Sequence, residues 1–168
     1  PREVYLRMLW ERYARELDRE EPSAGLNLTA FQRDGLVRAL DYLDRHSGVM
    51  IADGVGLGKT YLAGELLRRA VQDHRQRALL IAPAALRDGP WRAFRIEHDL
   101  MNVQCVSYQQ LVSDRRLGGD GGTVLWHEPD EYALIVIDEA HAYRNPDTER
   151  ARVLRRLLAG TPRKDVVL

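Results

Sequence analysis

Lys59 and Thr60 close the stretch Ala52-Asp53-Gly54-Val55-Gly56-Leu57-Gly58-Lys59-Thr60, whose residue types suit the grip of a polyphosphate. Glycines let successive backbone N–H groups converge on one anion without interference from a Cβ. A helix starting directly after them adds unsatisfied donors and a partial positive charge. In that setting Lys59 reaches the β- and γ-phosphates and the Thr60 hydroxyl holds Mg²⁺. The common pattern wants glycine five residues before Gly58, and Asp53 stands there, so the loop is a variant form. Only two of the 25 basic residues are lysines, Lys59 and Lys164. A compact ammonium on a flexible stem fits among phosphates where a planar guanidinium does not.

A second group of candidates follows about eighty residues later, at Asp138-Glu139-Ala140-His141. An acidic pair at the tip of an apolar run complements a phosphate loop. Asp138 is expected to hold Mg²⁺, through water because that ion keeps much of its hydration. Glu139 is expected to orient or deprotonate an attacking water. His141 could couple nucleotide state to another site or cap the loop. Upstream, the carboxamide of Gln32 both donates and accepts, so it could read an adenine edge or sit as an exposed helix residue.

These groups need elements to carry them. The run 49–51 leads into the glycine-rich loop as a strand, and a helix over 60–73 with Leu62, Leu66, Leu67 and Ala70 inward leads out. Residues 78–82 and 133–137 are short continuous apolar runs, the pattern of strands covered on both faces, and 103–107 is expected to be another short strand. A small strand is expected over 123–126, and another starting at Val166. Helices are expected over 87–100 with Trp91 and Phe94 inward, around 108–112, and over 148–158. Thr29 is a candidate N-cap for a helix reaching about Arg45. Strands alternating with helices predict an α/β fold, a parallel sheet with helices on both faces and ligands at the strand carboxyl ends. Residues 117–122, rich in glycine, are expected to be the most flexible stretch. Residues 4–19 place Leu6, Leu9, Trp10, Tyr13 and Leu17 on one helical face. Glu21-Pro22-Ser23-Ala24-Gly25 then breaks the pattern. The organisation expected is therefore an accessory helix and linker over 1–25 and one lobe over 26–168.

Composition narrows the function classes. The 168 residues hold 45% apolar and 30% charged side chains, and 25 basic residues balance 25 acidic ones. Bulk charge therefore announces no nucleic-acid binder, and any basic binding face must be local. Cys105, the single cysteine, lies in an apolar run and is expected to serve as packing. With no disulfide possible within the chain, a reducing, cytoplasmic setting is expected. No apolar stretch approaches the roughly 20 residues of a membrane-spanning helix, so no membrane partner is expected. The five histidines show no metal-ligand spacing.

With these residues in hand, the sequence resembles the first RecA-like lobe of a superfamily-two helicase, within that group a Swi/Snf-type DNA-dependent ATPase of bacterial kind. Leu28-Thr29-Ala30-Phe31-Gln32 is similar to the family's adenine-reading motif. The stretch from Ile51 to Thr60, with Ala52-Asp53 before the glycines, matches its phosphate loop (Walker A), although Gly54-Val55 departs from the Glu-Met often found there. Leu80-Ile81-Ala82-Pro83 with Trp91 is similar to a motif contacting a nucleic-acid strand. Val136-Ile137-Asp138-Glu139-Ala140-His141 matches the DEAH-type motif, and Arg144-Asn145 its continuation. The resemblance implies a RecA-like P-loop fold and an ATP-hydrolysing translocase lobe using ATP and Mg²⁺. It implies Lys59 and Glu139 as catalytic residues, with Ala84, Ala85 and Arg87 touching DNA, in all expectation double-stranded.

One expected feature of that family is missing. Its next motif, a Thr-Ala-Thr-Pro-like turn, follows the strand beginning at Val166, and Gly160-Thr161-Pro162 precedes that strand. The second lobe with its arginine finger is expected elsewhere in a parent chain. Without the finger, hydrolysis falls by about 10³–10⁵-fold, so these residues alone are expected to bind ATP weakly and turn it over barely. Rival readings are an RNA helicase lobe, a nucleotide-gated switch without motor activity, and a small-molecule kinase. Gln32 and the lack of an obvious lid weigh against the last, and Glu139 weighs against the switch.

Overall fold

A computed structural model gives the structure of the chain and describes residues 25–52 and 58–168. The helix expected over 4–19 and loop residues Asp53, Gly54, Val55, Gly56 and Leu57 lie outside the described residues.

Helix α1 (Ala30–His46) begins where the sequence places its cap. Thr29 Oγ1 accepts from Gln32 N at 3.3 Å, and Gln32 Oε1 accepts from Thr29 N at 2.9 Å. This reciprocal box satisfies two donors that the first turn leaves open, worth about 1 kcal/mol. Ser47, in the left-handed region at φ 53°, ends the helix by donating its N–H to Leu43 O. Leu36, Ala39 and Leu43 bury the inner face. Strand β1 (Gly48–Val49) follows at once. Helix α2 (Lys59–Arg68) starts at the loop and widens into π-type turns over Arg69–Asp73.

Strand β2 (Arg77–Ala82) is buried from its second residue on. The helical stretch α3 (84–97) comprises Ala84–Leu86, a wider turn over Arg87–Trp91, and Arg92–Glu97. It starts at Ala84, three residues ahead of the expectation, because Pro83 serves as its N-cap. Pro90 sits inside it, and the wider turn accommodates a residue that has no N–H to give. Strand β3 (Gln104–Ser107) leads into α4 (Tyr108–Ser113), started by a second reciprocal box between Ser107 and Gln110. Strand β4 (Tyr132–Ile137), helix α5 (Glu149–Leu158, N-capped by Thr148) and strand β5 (Asp165–Val167) complete the described elements.

All pairings are parallel, in the order β1-β5-β4-β2-β3. Alternation along the strands divides the core in two. Leu80 and Val136 face Leu36, Leu66, Leu67, Trp91 and Phe94, from α1, α2 and α3. Leu79, Ile81, Ile135 and Ile137 face Leu111 and Leu157, from α4 and α5. Gly64 lets α3 close on α2, because a Cβ there would overlap the Phe94 ring. Cys105 is half-buried and burial pushes its thiol up to about 11, so it packs rather than reacts.

The strand expected over 123–126 does not form. Its backbone groups bond to side chains instead of a ladder. The buried Asp114 carboxylate accepts from Val124 N at 2.6 Å and Leu125 N at 2.7 Å. Gln104 donates to Val124 O and accepts from Trp126 N, each at 2.9 Å. The glycine-rich stretch before it folds back on α4, with Gly119 N donating to Asp114 O and Gly121 N to Ser113 O. A Cβ at Gly119 would overlap the Ser113 backbone, so the glycine here serves close approach rather than freedom.

Candidate functional site

The carboxyl ends of β1, β4 and β5 and the start of α2 open onto one pocket of about 640 Å³, lined by Ala52, Lys59, Thr60, Asp138, Glu139 and His141 among others. That volume lies within the usual span for small-molecule sites, about 300–1,000 Å³. Residues separated by about eighty positions thus meet because β1 and β4 are parallel and point the same way. Met50, Trp91, Tyr143, Arg144, Leu154 and Leu168 also line the pocket.

Gly58 precedes α2 at φ 82°, and a Cβ on it would overlap Gln32 Nε2. Two independent demands therefore call for glycine here: the left-handed backbone and the close approach of a side chain. Gln32 stands beside the loop's end with Oε1 already accepting from Thr29 N. It is not among the pocket's lining residues. Lys59 and Thr60 occupy the first turn of α2, where helix N–H groups lack intrahelical partners.

The acidic pair is fixed more closely. Asp138 N donates to Ile81 O at 2.9 Å, extending the β2–β4 ladder to the turn. Trp91 Nε1 donates to Asp138 Oδ2 at 2.7 Å. The Tyr108 hydroxyl reaches both Asp138 O and Glu139 O, the latter at 3.1 Å. Burial, with Tyr143 and the two carboxylates adding to it, pushes the Tyr108 phenol well up, so its proton stays available for donation. Glu139 adopts φ 56°, ψ 46°, a strained choice for a non-glycine residue and one that accumulates at functional sites. Its Oε2 lies 3.0 Å from His141 Nδ1, both side chains being exposed. Among the described residues no His, Cys, Asp and Glu cluster forms a ready-made metal site.

Ala84 and Ala85 are exposed at the start of α3. Arg87 is largely engaged: Nε and Nη2 donate to the two oxygens of Asp88 at 2.8 and 2.7 Å, and Nη1 to Gln110 Oε1. A phosphate at that position would have to compete with Asp88. Sequence reading placed Trp91 inward but not on Asp138, and it assigned Tyr108 no role. The one available signal for Tyr108 was its position directly after a strand end, where side chains face the ligand side of the sheet.

Parallel strands, helices on both faces and paired motifs at the strand carboxyl ends define a RecA-like α/β lobe. No family model matches the chain. Its fold matches the SWI2/SNF2 ATPase core of Sulfolobus solfataricus, solved in complex with dsDNA. The TM-score is 0.69 at 20% identity, over 89% of this chain and 32% of that one. Its sequence is similar to that of the SWI/SNF-related matrix-associated actin-dependent regulator of chromatin subfamily A-like protein 1 of Xenopus tropicalis. Identity is 29% over 160 residues, covering 88% of this chain and 16% of that protein. The chain therefore spans a small part of the curated relative and about a third of the structural one. Fold and sequence together bear out the Swi/Snf-type resemblance drawn from the motifs, for part of one lobe.

Proposed function

We propose that this chain is an ATP-binding part of a DNA-dependent ATPase of the translocase type, with a second RecA-like lobe supplied by a longer parent protein. The observation that carries it is the meeting of Lys59 and Thr60 with Asp138 and Glu139 around one pocket. The donor set suits the ligand: an ammonium and helix N–H groups for phosphates, and hydroxyl and carboxylate oxygens for a hard cation such as Mg²⁺. Lys59 would meet the β- and γ-phosphates, and Thr60 and Asp138 would hold Mg²⁺. When bound, that ion neutralises charge on the phosphate oxygens. Glu139 orients the attacking water and takes its proton, with His141 steadying the carboxylate from 3.0 Å. Gln32, whose side chain stands against Gly58, would read the adenine edge, as the resemblance implies. The solved neighbour's complex with dsDNA supports DNA as the polymer.

Titration calorimetry with ATP tests the reading. Heat of binding is expected, and tighter uptake when Mg²⁺ is present; no uptake under either condition rejects it. The polymer is tested separately with Arg87→Glu in the full-length protein. Reversing this charge is expected to weaken DNA binding and lower the salt slope by about one phosphate contact. Unchanged affinity and slope remove Arg87 from the interface.

A further inference from the structure

The turn bearing Asp138 and Glu139 is held from two neighbouring segments by aromatic side chains whose polar tips face it. Trp91 lies at the end of the wider turn around Pro90 and is 2% exposed. Its indole N–H, a donor only, meets Asp138 Oδ2 at 2.7 Å. Tyr108 follows β3 directly, and its hydroxyl touches the carbonyl oxygens of Asp138 and Glu139. Its ring is held edge-on by Tyr143 at 5.3 Å, with the Arg150 guanidinium 5.8 Å from its centroid.

We propose that Trp91 and Tyr108 are positioning residues for the acidic turn, Trp91 setting which way the Asp138 carboxylate faces and Tyr108 holding the backbone that presents Glu139. The assignment deepens the function proposed above and rests on it. An aspartate has two soft torsions, and a charge-assisted hydrogen bond to one oxygen selects a single orientation. With Oδ2 committed to Trp91, the other oxygen is the one that would serve a cation. Groups that orient ligand carboxylates in this way tune metal affinity strongly. The geometry at Tyr108 is equally specific. The two carbonyls it meets belong to the peptide units on either side of the Glu139 Cα, and their relative rotation is what φ and ψ of Glu139 describe. The hydroxyl bridges those two units and so holds the left-handed conformation in place. That conformation costs about 1–3 kcal/mol and persists only where surroundings enforce it.

The test uses the full-length protein with ATP titrated at a series of Mg²⁺ concentrations, together with single-turnover hydrolysis. For Trp91→Phe, the Mg²⁺ concentration giving half-maximal tightening of ATP binding is expected to rise about tenfold, while affinity for Mg²⁺-free ATP stays unchanged. For Tyr108→Phe, which keeps the ring, affinity for ATP with Mg²⁺ should hold while the single-turnover rate falls about tenfold. A Trp91→Phe protein with the parent Mg²⁺ response, or with equal loss of Mg²⁺-free binding, overturns the role of Trp91. Should that variant fail to fold, Tyr108→Phe decides: a parent-like rate, or a rate and affinity falling together, overturns the proposal. If the unaltered protein takes up no ATP, the underlying function fails first, a result distinct from any difference between variants.

Discussion

Glu139→Gln is expected to leave ATP affinity within about twofold of the parent and to lower turnover by about 10²–10⁴-fold, the usual contribution of a positioned general base. The substitution changes little but basicity. Gln matches the size of Glu, and the Glu139 side chain is exposed and partnered by His141 at 3.0 Å, so packing is not disturbed. The grip on the nucleotide comes from elsewhere, from Lys59, Thr60 and the start of α2. A carboxamide can still hold a water by hydrogen bonding but cannot take its proton at neutral pH. The measurement pairs calorimetric affinity with single-turnover hydrolysis in the full-length protein, because the arginine finger is expected outside these residues. A motor lobe loses turnover and keeps affinity. A nucleotide-gated switch loses neither, and that outcome would discard the water-activating role of Glu139.

The candidate site was legible in the sequence to the extent that it is local. Gly58-Lys59-Thr60 and Asp138-Glu139 announce themselves by type and spacing, and apolar runs place each at a strand end. Thr29 as the cap of α1, the five strands and the apolar faces of α2 and α5 follow from the same short-range signals. What stayed hidden depends on strand order. Trp91 meets Asp138 and Tyr108 meets Glu139 across 47 and 31 positions of chain, because β2 lies beside β4 in the sheet and β3 lies next beyond β2. No periodicity encodes that neighbourhood. The absent strand over 123–126 was hidden for a related reason. Its apolar pattern suits a strand, but its donors are taken by Asp114 and Gln104, residues distant in sequence. The early start of α3 was masked by Pro83, which reads as the stop of β2 although it also serves as the helix N-cap.

Glu65→Ala is expected to destabilise the fold by about 3–5 kcal/mol, the range for removing one partner of a buried ion pair. Helical spacing marked Leu62, Leu66 and Leu67 as the buried face of α2, yet Glu65 is 1% exposed. Its carboxylate accepts from Arg68 Nε and Nη2 and from Arg69 Nε, each at 2.9 Å, and from Leu26 N at 3.0 Å. A Cβ on Gly25 would overlap it, so the segment ahead of α1 closes directly onto this carboxylate. Alanine removes the acceptor for four donors at once. Arg68 keeps Asp73, which takes two of its N–H groups. Arg69 loses its bond to Glu65, and its Nη2 has no partner among the described residues. Denaturant midpoints at fixed m-value measure the loss. The pH dependence gives a second reading. Burial pushes the Glu65 carboxyl up, but hydrogen bonds from Arg68 and Leu26 N, with the Arg68 charge, outweigh it and hold the group below its ordinary value. A carboxyl lowered on folding stabilises above its unfolded pKa, about 4.3 for glutamate, and that contribution fades as pH falls through the folded value. The gap between parent and Glu65→Ala should therefore be full at neutral pH and close in acid, from the parent's side. A gap that stays constant down through that window would mean that lost packing, not the buried charge network, sets the cost. Leu26 would then be held on α2 by its apolar contacts alone, and the position of Gln32 beside Gly58 would not depend on Glu65.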